Sequence, residues 1–221
     1  MRLPRTLNRL LWFATHKIGF WVFHLGWSYR CAGRSNLPLT GPALLVSNHQ
    51  SFLDPFLVGL IARRPLAYIA RHNLFKNRAM AFGLREYRTM PINRDMGKDG
   101  LQLVFDALAK GEAVTVFAEG ERTHDGALQP LKPGIALLAK RADVPVVPCA
   151  IVGAYEAWPR QRKRPRFAPL FLPKSVGCIA VVFGDAVPAG YYRRWKREAI
   201  LEDLQARLAV AFAAAQKRQR K

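Results

Sequence analysis

Residues 43–54 read "ALLVSNHQSFLD" and join a buried strand to a polar turn and the start of a helix. The continuous apolar run at 43–48 has the length of a strand, and polar residues end it. "FLDPFLVGLIA" follows at 52–62 and has the character of a helix. A strand followed directly by a helix is typical of α/β proteins.

The rest of the chain continues this alternation. Strands are predicted in "YRCAG", "LAYIA", "TMPIN", "AVTVFA", "VVPCAIV" and "CIAVVF". Helices are predicted near 73–85, in "KDGLQLVFDALAKG" closed by Gly111, at about 135–141, and in an amphipathic stretch from about Arg193. We therefore predict an α/β fold over residues 31–221, with a mixed, largely parallel sheet flanked by helices.

The amino terminus has a different composition. Residues 7–29 are too aromatic and too interrupted for a cleavable signal, and a spanning helix would place Lys17 near the bilayer centre at about 2.5–3.5 kcal/mol. Tryptophan and phenylalanine favour the headgroup boundary. We expect residues 1–30 to form a membrane-associated element of one or two helices, peripheral or monotopic on the cytoplasmic face of the cell membrane. A spanning helix and a buried core helix are the alternatives.

The charge is strongly positive, with 35 Lys and Arg against 15 Asp and Glu. No acid precedes Asp54, and a second acid-free run between Glu156 and Asp185 mixes arginines with large apolar side chains. This mixture suits an anionic lipid surface, although a solubilising basic face is an alternative. A non-enzymatic protein that binds RNA or a membrane is a further alternative. No RNA-module signature occurs, so we expect no nucleic acid partner.

The cysteines and histidines give no indication of a metal site. Cys31, Cys149 and Cys178 have neither metal-ligand nor disulfide spacing, and the five histidines do not cluster in the sequence. We expect small core cysteines in a reducing compartment, and we expect neither a metal nor a cofactor.

A first polar cluster follows the strand at 43–48 and contains His49 and Asp54. If His49 lies in the turn and Asp54 in the first turn of the helix, the carboxylate orients the imidazole as a general base. No side-chain nucleophile accompanies them, so the nucleophile would be a hydroxyl of the substrate. Alternatively, Ser51 and Asp54 form a capping box, and His49 bonds a backbone carbonyl.

A second polar cluster, "FAEGERTHDG" at 117–126, follows the predicted strand at 113–117. Gly120 permits a tight backbone path and close approach of a ligand. The guanidinium of Arg122 suits a phosphate. Glu119 could instead cap loop amides.

Together the clusters resemble the glycerolipid acyltransferases, the family that includes lysophosphatidate acyltransferase. The resemblance covers residues 43 to about 150, with four motifs in the family's order. The matching residues are Asn48, His49 and Asp54; Arg94 in "PINRD"; Phe117, Glu119, Gly120, Arg122 and Thr123, followed by Lys132 and Gly134; and Pro145 and Pro148.

The resemblance implies transfer of a fatty acyl group, in phospholipid biosynthesis, from acyl-CoA or acyl carrier protein to the hydroxyl of a lysophospholipid. The expected acceptor is 1-acylglycerol-3-phosphate, and the product is phosphatidate. His49 and Asp54 are expected to be catalytic. The residues expected to bind substrate are Arg94, Glu119, Gly120, Arg122 and Lys132.

The chain departs from the family pattern at two positions. Ala118 replaces a proline, which affects only the rigidity of the loop. Glu121 replaces a threonine and adds a negative charge beside Arg122. A lyso-aminolipid or a neutral lysophospholipid therefore remains an alternative acceptor.

Overall fold

The structure is a computed structural model that describes residues 5–76, 81, 84, 88–92, 97–162, 164–171 and 178–219. Its strands are β1 (Arg30–Ala32), β2 (Ala43–Ser47), β3 (Ala67–Arg71), β4 (Thr89–Ile92), β5 (Ala113–Phe117), β6 (Val146–Val152) and β7 (Ala180–Phe183). Its helices are α1 (Arg5–Trp27), α2 (Asp54–Ile61), α3 (Lys98–Ala109), α4 (Gly134–Arg141), α5 (Ala154–Ala157) and α6 (Arg197–Arg218).

The strands form one seven-stranded sheet in the order β1-β7-β6-β2-β5-β3-β4. All neighbours are parallel except β6 and β7, which pair antiparallel. The predicted α/β fold with a mixed, largely parallel sheet is confirmed. Because β2 lies at the centre of the sheet, the loop after it opens at the edge where the neighbouring strands β5 and β6 also end.

Both faces of the sheet are covered, as the apolar run in β2 requires. Leu44 and Val46 point into a core cluster that also contains buried residues of α3, α4 and α6. Ala43 and Leu45 point into a second cluster with α2 and the end of α1. The alternation follows from the two-residue period of a strand.

The amino-terminal region forms one continuous helix, α1. Trp27 at its end is buried, and the backbone N–H groups of Ala168 and Leu170 donate to the last carbonyls of the helix, at 2.9 Å to Gly26 and 3.0 Å to Leu25. These bonds satisfy carbonyls that a helix end leaves open. Within the described ranges, no helix combines the length and the apolar character needed to cross a bilayer.

One helix begins later than predicted, one short helix was not predicted, and one predicted helix lies largely outside the described residues. The last helix begins at Arg197 rather than at about Arg193, because turns precede it and the rings of Tyr191, Tyr192 and Trp195 pack on one another there. The short helix α5 was not predicted. The predicted helix near 73–85 falls largely outside the described residues, and its first part is a 3-10 helix at His72–Phe75.

All three cysteines lie within the described ranges, and none forms a disulfide. Cys149 and Cys178 are buried in the core, and Cys31 is half-buried.

Candidate active site

The site begins where β2 ends. Ser47 is in register with Phe117 of β5, so the two polar clusters leave the sheet side by side. Asn48 exchanges two hydrogen bonds with the backbone of Ile151, donating to its oxygen at 2.9 Å and accepting from its nitrogen at 2.8 Å. These bonds continue the pairing of β2 with β6 and hold the turn in which His49 lies.

His49 is held by its ring and by its backbone. The imidazole stacks on Phe117 with ring centroids 4.1 Å apart and 17° between the planes. Its Nδ1 lies 2.7 Å from Oδ2 of Asp54, the first residue of α2. An ionised carboxylate only accepts hydrogen bonds, so Nδ1 carries the proton, and Nε2 of the neutral ring keeps its lone pair. Among the described residues, no group hydrogen-bonds Nε2.

Asp54 also organises the turn. Its Oδ2 accepts from the backbone nitrogens of Gln50 at 2.5 Å and Ser51 at 2.8 Å, and the side chain is fully buried. The bond from Ser51 is the backbone half of a capping box. A single carboxylate oxygen therefore both caps the turn and orients the imidazole.

Glu119 lies behind His49 and joins two loops. One oxygen accepts from the backbone nitrogen of His49 at 2.8 Å, and the other accepts from that of Gln129 at 2.8 Å. The side chain is only 3% exposed. Burial raises the pKa of Glu119 from 4.5 to about 7; the two amide donors oppose this increase, and the carboxylates of Asp54 and Asp125 add to it. One buried carboxyl group thus joins the loop of His49 to the loop of Gln129 through both of its oxygens.

The raised pKa of Glu119 predicts a pH-dependent effect of Glu119→Gln. Because the pKa is higher in the folded chain than in the unfolded chain, the group's contribution to stability is lost as pH rises from about 4.5 through about 7. As pH rises from 5 to 8, the unfolding free energy of the glutamine variant relative to wild type should therefore increase by about 2.5 kcal/mol. Urea unfolding of both proteins at each pH measures this difference; a difference independent of pH would contradict the assignment.

Gly120 and Lys132 lie together at the rim of the site. Gly120 has a φ of +80°, and a Cβ added there would lie 3.1 Å from Cγ of Lys132. The backbone nitrogen of Lys132 donates to the oxygen of Ala118 at 2.8 Å. The absence of a side chain at Gly120 therefore lets the exposed lysine lie across the second cluster.

Arg122 stacks its guanidinium carbon 3.5 Å over the ring of Phe52. Its Nη1 is buried and has no hydrogen-bond partner among the described residues. Burial, and secondly the neighbouring Arg160, lower the pKa of Arg122 from its usual value. Buried donors are nearly always paired, so this nitrogen is suited to an anionic ligand.

A protein-family model described as Acyltransferase matches residues 28–152, more than half of the chain and both polar clusters. The chain belongs to this acyltransferase family. The resemblance inferred from the motifs is confirmed.

Curated relatives match this acyltransferase chain over somewhat more than half of its length. It is 32% identical over 131 residues to a chloroplast 1-acyl-sn-glycerol-3-phosphate acyltransferase of Brassica napus, a match that covers 58% of the chain and 38% of that protein. It is 28% identical over 122 residues to the 1-acyl-sn-glycerol-3-phosphate acyltransferase of Bacillus subtilis, covering 54% of the chain and 60% of that protein. The chain thus spans less than two thirds of the length of these relatives.

A solved structure shares the whole fold. The crystal structure of the 1-acyl-sn-glycerophosphate acyltransferase of Thermotoga maritima superposes with a TM-score of 0.74 at 21% identity. The superposition covers 98% of this chain and 84% of that one. The acyltransferase chain therefore has the same architecture.

No described hydroxyl or thiol beside His49 is placed as a nucleophile. Ser47, Ser51 and Thr123 donate their hydroxyls to Asn48, Trp158 and Asp125, at 3.0, 2.8 and 2.8 Å. Cys149 is fully buried, and burial raises its pKa to about 12. Within the described ranges, no three His, Cys, Asp or Glu side chains cluster as metal ligands would.

The structure brings six of the seven predicted site residues to one edge of the sheet, and Arg94 lies outside the described residues. Sequence reasoning missed Gln50. Its side chain donates to the oxygen of Gly126 at 2.7 Å and accepts from the backbone nitrogens of Ala154 at 3.1 Å and Tyr155 at 3.3 Å. Only its position directly after His49 could have indicated that Gln50 joins the turn of His49 to the second polar cluster and to the start of α5.

Proposed function

We propose that the chain is an O-acyltransferase that moves a fatty acyl group from acyl-CoA or acyl carrier protein to a lysophospholipid. The proposed acceptor is 1-acylglycerol-3-phosphate, and the product is phosphatidate. The observation that carries the proposal is the bond of 2.7 Å between His49 and Asp54, which leaves Nε2 available for a substrate. The names of the relatives support the choice of acceptor.

In the proposed mechanism His49 acts as the general base. Nε2 takes the proton of the acceptor hydroxyl as that oxygen attacks the thioester carbonyl. A carbon–oxygen bond forms, the carbon–sulfur bond breaks, and the imidazolium returns its proton to the leaving thiolate. Asp54 stabilises the imidazolium through Nδ1.

The acceptor phosphate is assigned to the cations beside this imidazole. Arg122 offers a donor without a described partner, and Lys132 lies across Gly120 at the same rim. Arg94 is included because of its place in the motif. Glu119 contributes indirectly, because it holds the backbone of His49.

Acyl transfer to 1-acylglycerol-3-phosphate with purified protein tests the proposal, with phosphatidate identified by mass spectrometry. Arg122→Gln should raise the KM for the acceptor by about 10- to 100-fold, the value of one or two charge-assisted hydrogen bonds, and should leave the KM for acyl-CoA nearly unchanged. Arg141→Gln, an exposed arginine at the end of α4, is the matched control. Equal changes in both KM values would contradict the phosphate assignment. If neither acyl-CoA nor acyl carrier protein yields product, the function itself is wrong.

We propose that residues 1–30, with α1, hold the chain on the cytoplasmic face of an anionic membrane, and that residues 31–221 form the catalytic domain. Four exposed apolar side chains support this placement, at the spacing of one helix face: Ile18, Trp21, Val22 and Leu25. Phe171, 79% exposed, belongs to the segment that bonds the end of α1. The apolar face of α1 and the chain's excess of Lys and Arg suit an anionic lipid surface.

Vesicle flotation tests this placement. Replacing Trp21 and Phe171 together by serine should weaken binding to anionic vesicles by at least about tenfold, because each large apolar side chain contributes about 1.5–3 kcal/mol when buried. Val210→Ser, which removes an apolar side chain that is 72% exposed on α6, should leave binding unchanged. If high salt released the wild type completely, attachment would be electrostatic only, contrary to the proposal.

A further inference from the structure

The segment 158–162 after α5 packs against the loop that carries His49. The hydroxyl of Ser51 donates to the backbone oxygen of Trp158 at 2.8 Å, and the rings of Phe52 and Trp158 lie 6.1 Å apart. The indole nitrogen of Trp158 donates to the oxygen of Arg162 at 2.9 Å and closes the segment into a turn. Arg160 lies in this turn, so its backbone is held near the site.

Arg160 forms an ion pair with Glu121, the residue that departs from the family pattern. Its Nη1 lies 3.1 Å from Oε2 of Glu121, and Nε2 of His124 lies 3.9 Å from the same oxygen. Glu121 is the direct neighbour of Arg122, whose Nη1 has no described partner. The extra carboxylate is therefore already engaged by a cation from another part of the chain.

The charges at this rim influence one another. The hydrogen bond and charge of Arg160, together with the charges of His124 and Lys132, lower the pKa of Glu121. Arg160 contacts the residue next to Arg122 in the chain, and its charge also contributes to the lowered pKa of Arg122. With Arg160 present, the rim carries the guanidinium groups of Arg122 and Arg160 and the ammonium of Lys132 against the single carboxylate of Glu121. Without Arg160, Glu121 would be an unpaired negative charge directly beside Arg122 in the chain, and it would weaken the attraction of the rim for a phosphate.

We propose that Arg160 is a specificity-determining residue of the acceptor site: paired with Glu121 and close to Arg122, it makes the site prefer an anionic head group to a zwitterionic one. This inference rests on the proposed acyl transfer to a lysophospholipid. It accounts for a glutamate beside the phosphate site, because the carboxylate serves to position Arg160. It also predicts that loss of Arg160 exposes a negative charge that disfavours phosphate monoesters.

The test compares two acceptors, lysophosphatidate and lysophosphatidylethanolamine, each in micelles of a neutral detergent. Arg160→Gln should lower kcat/KM for lysophosphatidate by about tenfold, mainly through KM, since the loss equals about one charge-assisted contact. For lysophosphatidylethanolamine the same variant should change kcat/KM by less than about twofold. Arg164→Gln replaces an exposed arginine in the same acid-free run between Glu156 and Asp185, and it should change neither value.

A double variant separates charge compensation from a structural role. Adding Glu121→Thr to Arg160→Gln removes both charges of the pair and should restore lysophosphatidate use to within about threefold of wild type. An equal loss with both acceptors, or no recovery in the double variant, would overturn the inference. A wild type that acylates neither lysolipid would refute the proposed function, and the inference with it. If the wild type is active and Arg160→Gln has the same acceptor selectivity as the wild type, only the inference about Arg160 is refuted.

Discussion

Replacing His49 by alanine is expected to lower kcat by about 10²- to 10⁴-fold, the range that a positioned general base supplies. The variant lacks Nε2, the ring nitrogen that takes the acceptor proton in the proposed mechanism. Binding of the acceptor should change little, because the cations at the rim remain. The chain should stay folded, since β2 and α2 retain their packing in both core clusters.

Steady-state kinetics with a thermal melt of the same preparation measures this effect. His72→Ala, which removes an exposed histidine after β3, is the matched control and should keep wild-type kcat. A wild-type rate in folded His49→Ala would exclude His49 as the base. A loss confined to KM would instead indicate a role in binding.

Asp54→Asn should lower kcat by about 100-fold or more and also destabilise the fold. The asparagine keeps the shape of the side chain but loses the charge that stabilises the imidazolium. Its amide nitrogen would take the place of Oδ2, against Nδ1 of His49, or the place of Oδ1, which is buried and has no described partner. A buried donor without an acceptor costs about 1–3 kcal/mol, and the unfolding free energy should fall by that amount.

The two effects of Asp54→Asn separate its two roles. Urea unfolding reports the capping of the turn, whereas kcat reports the orientation of the imidazole. Asp99→Asn, which changes an exposed carboxylate in the first turn of α3, should alter neither quantity appreciably. A destabilised variant with wild-type kcat would show that Asp54 only caps the helix.

Most strands were predictable because their apolar runs are continuous and short. β6 has the boundaries that its sequence indicates, since all seven of its residues are buried. The antiparallel pairing of β7 with β6 was not predictable in this way, because a pattern of burial does not report strand direction. The start of α6 was predicted too early because the aromatic residues at 191–195 pack as turns rather than as a helical face.

The residues of the site were partly predictable for a different reason. His49, Asp54, Glu119 and Arg122 follow two strands that prove to be neighbours in register, so their motifs meet. The bonds of Glu119 to backbone amides and the pairing of Arg160 with Glu121 join residues 10 to 70 positions apart in the chain. Such contacts depend on loop paths, which local patterns do not specify.

In the proposed mechanism a substrate hydroxyl, activated by His49, attacks the thioester directly, without an acylated form of the protein. The most direct measurement is thiol release from acyl-CoA with and without 1-acylglycerol-3-phosphate, combined with the intact mass of the quenched protein. We expect release only when the acceptor is present, with no acyl group on the protein. Release without the acceptor, accompanied by a covalently acylated chain, would show that the acyl group passes through the protein and would rule out direct attack by the substrate hydroxyl.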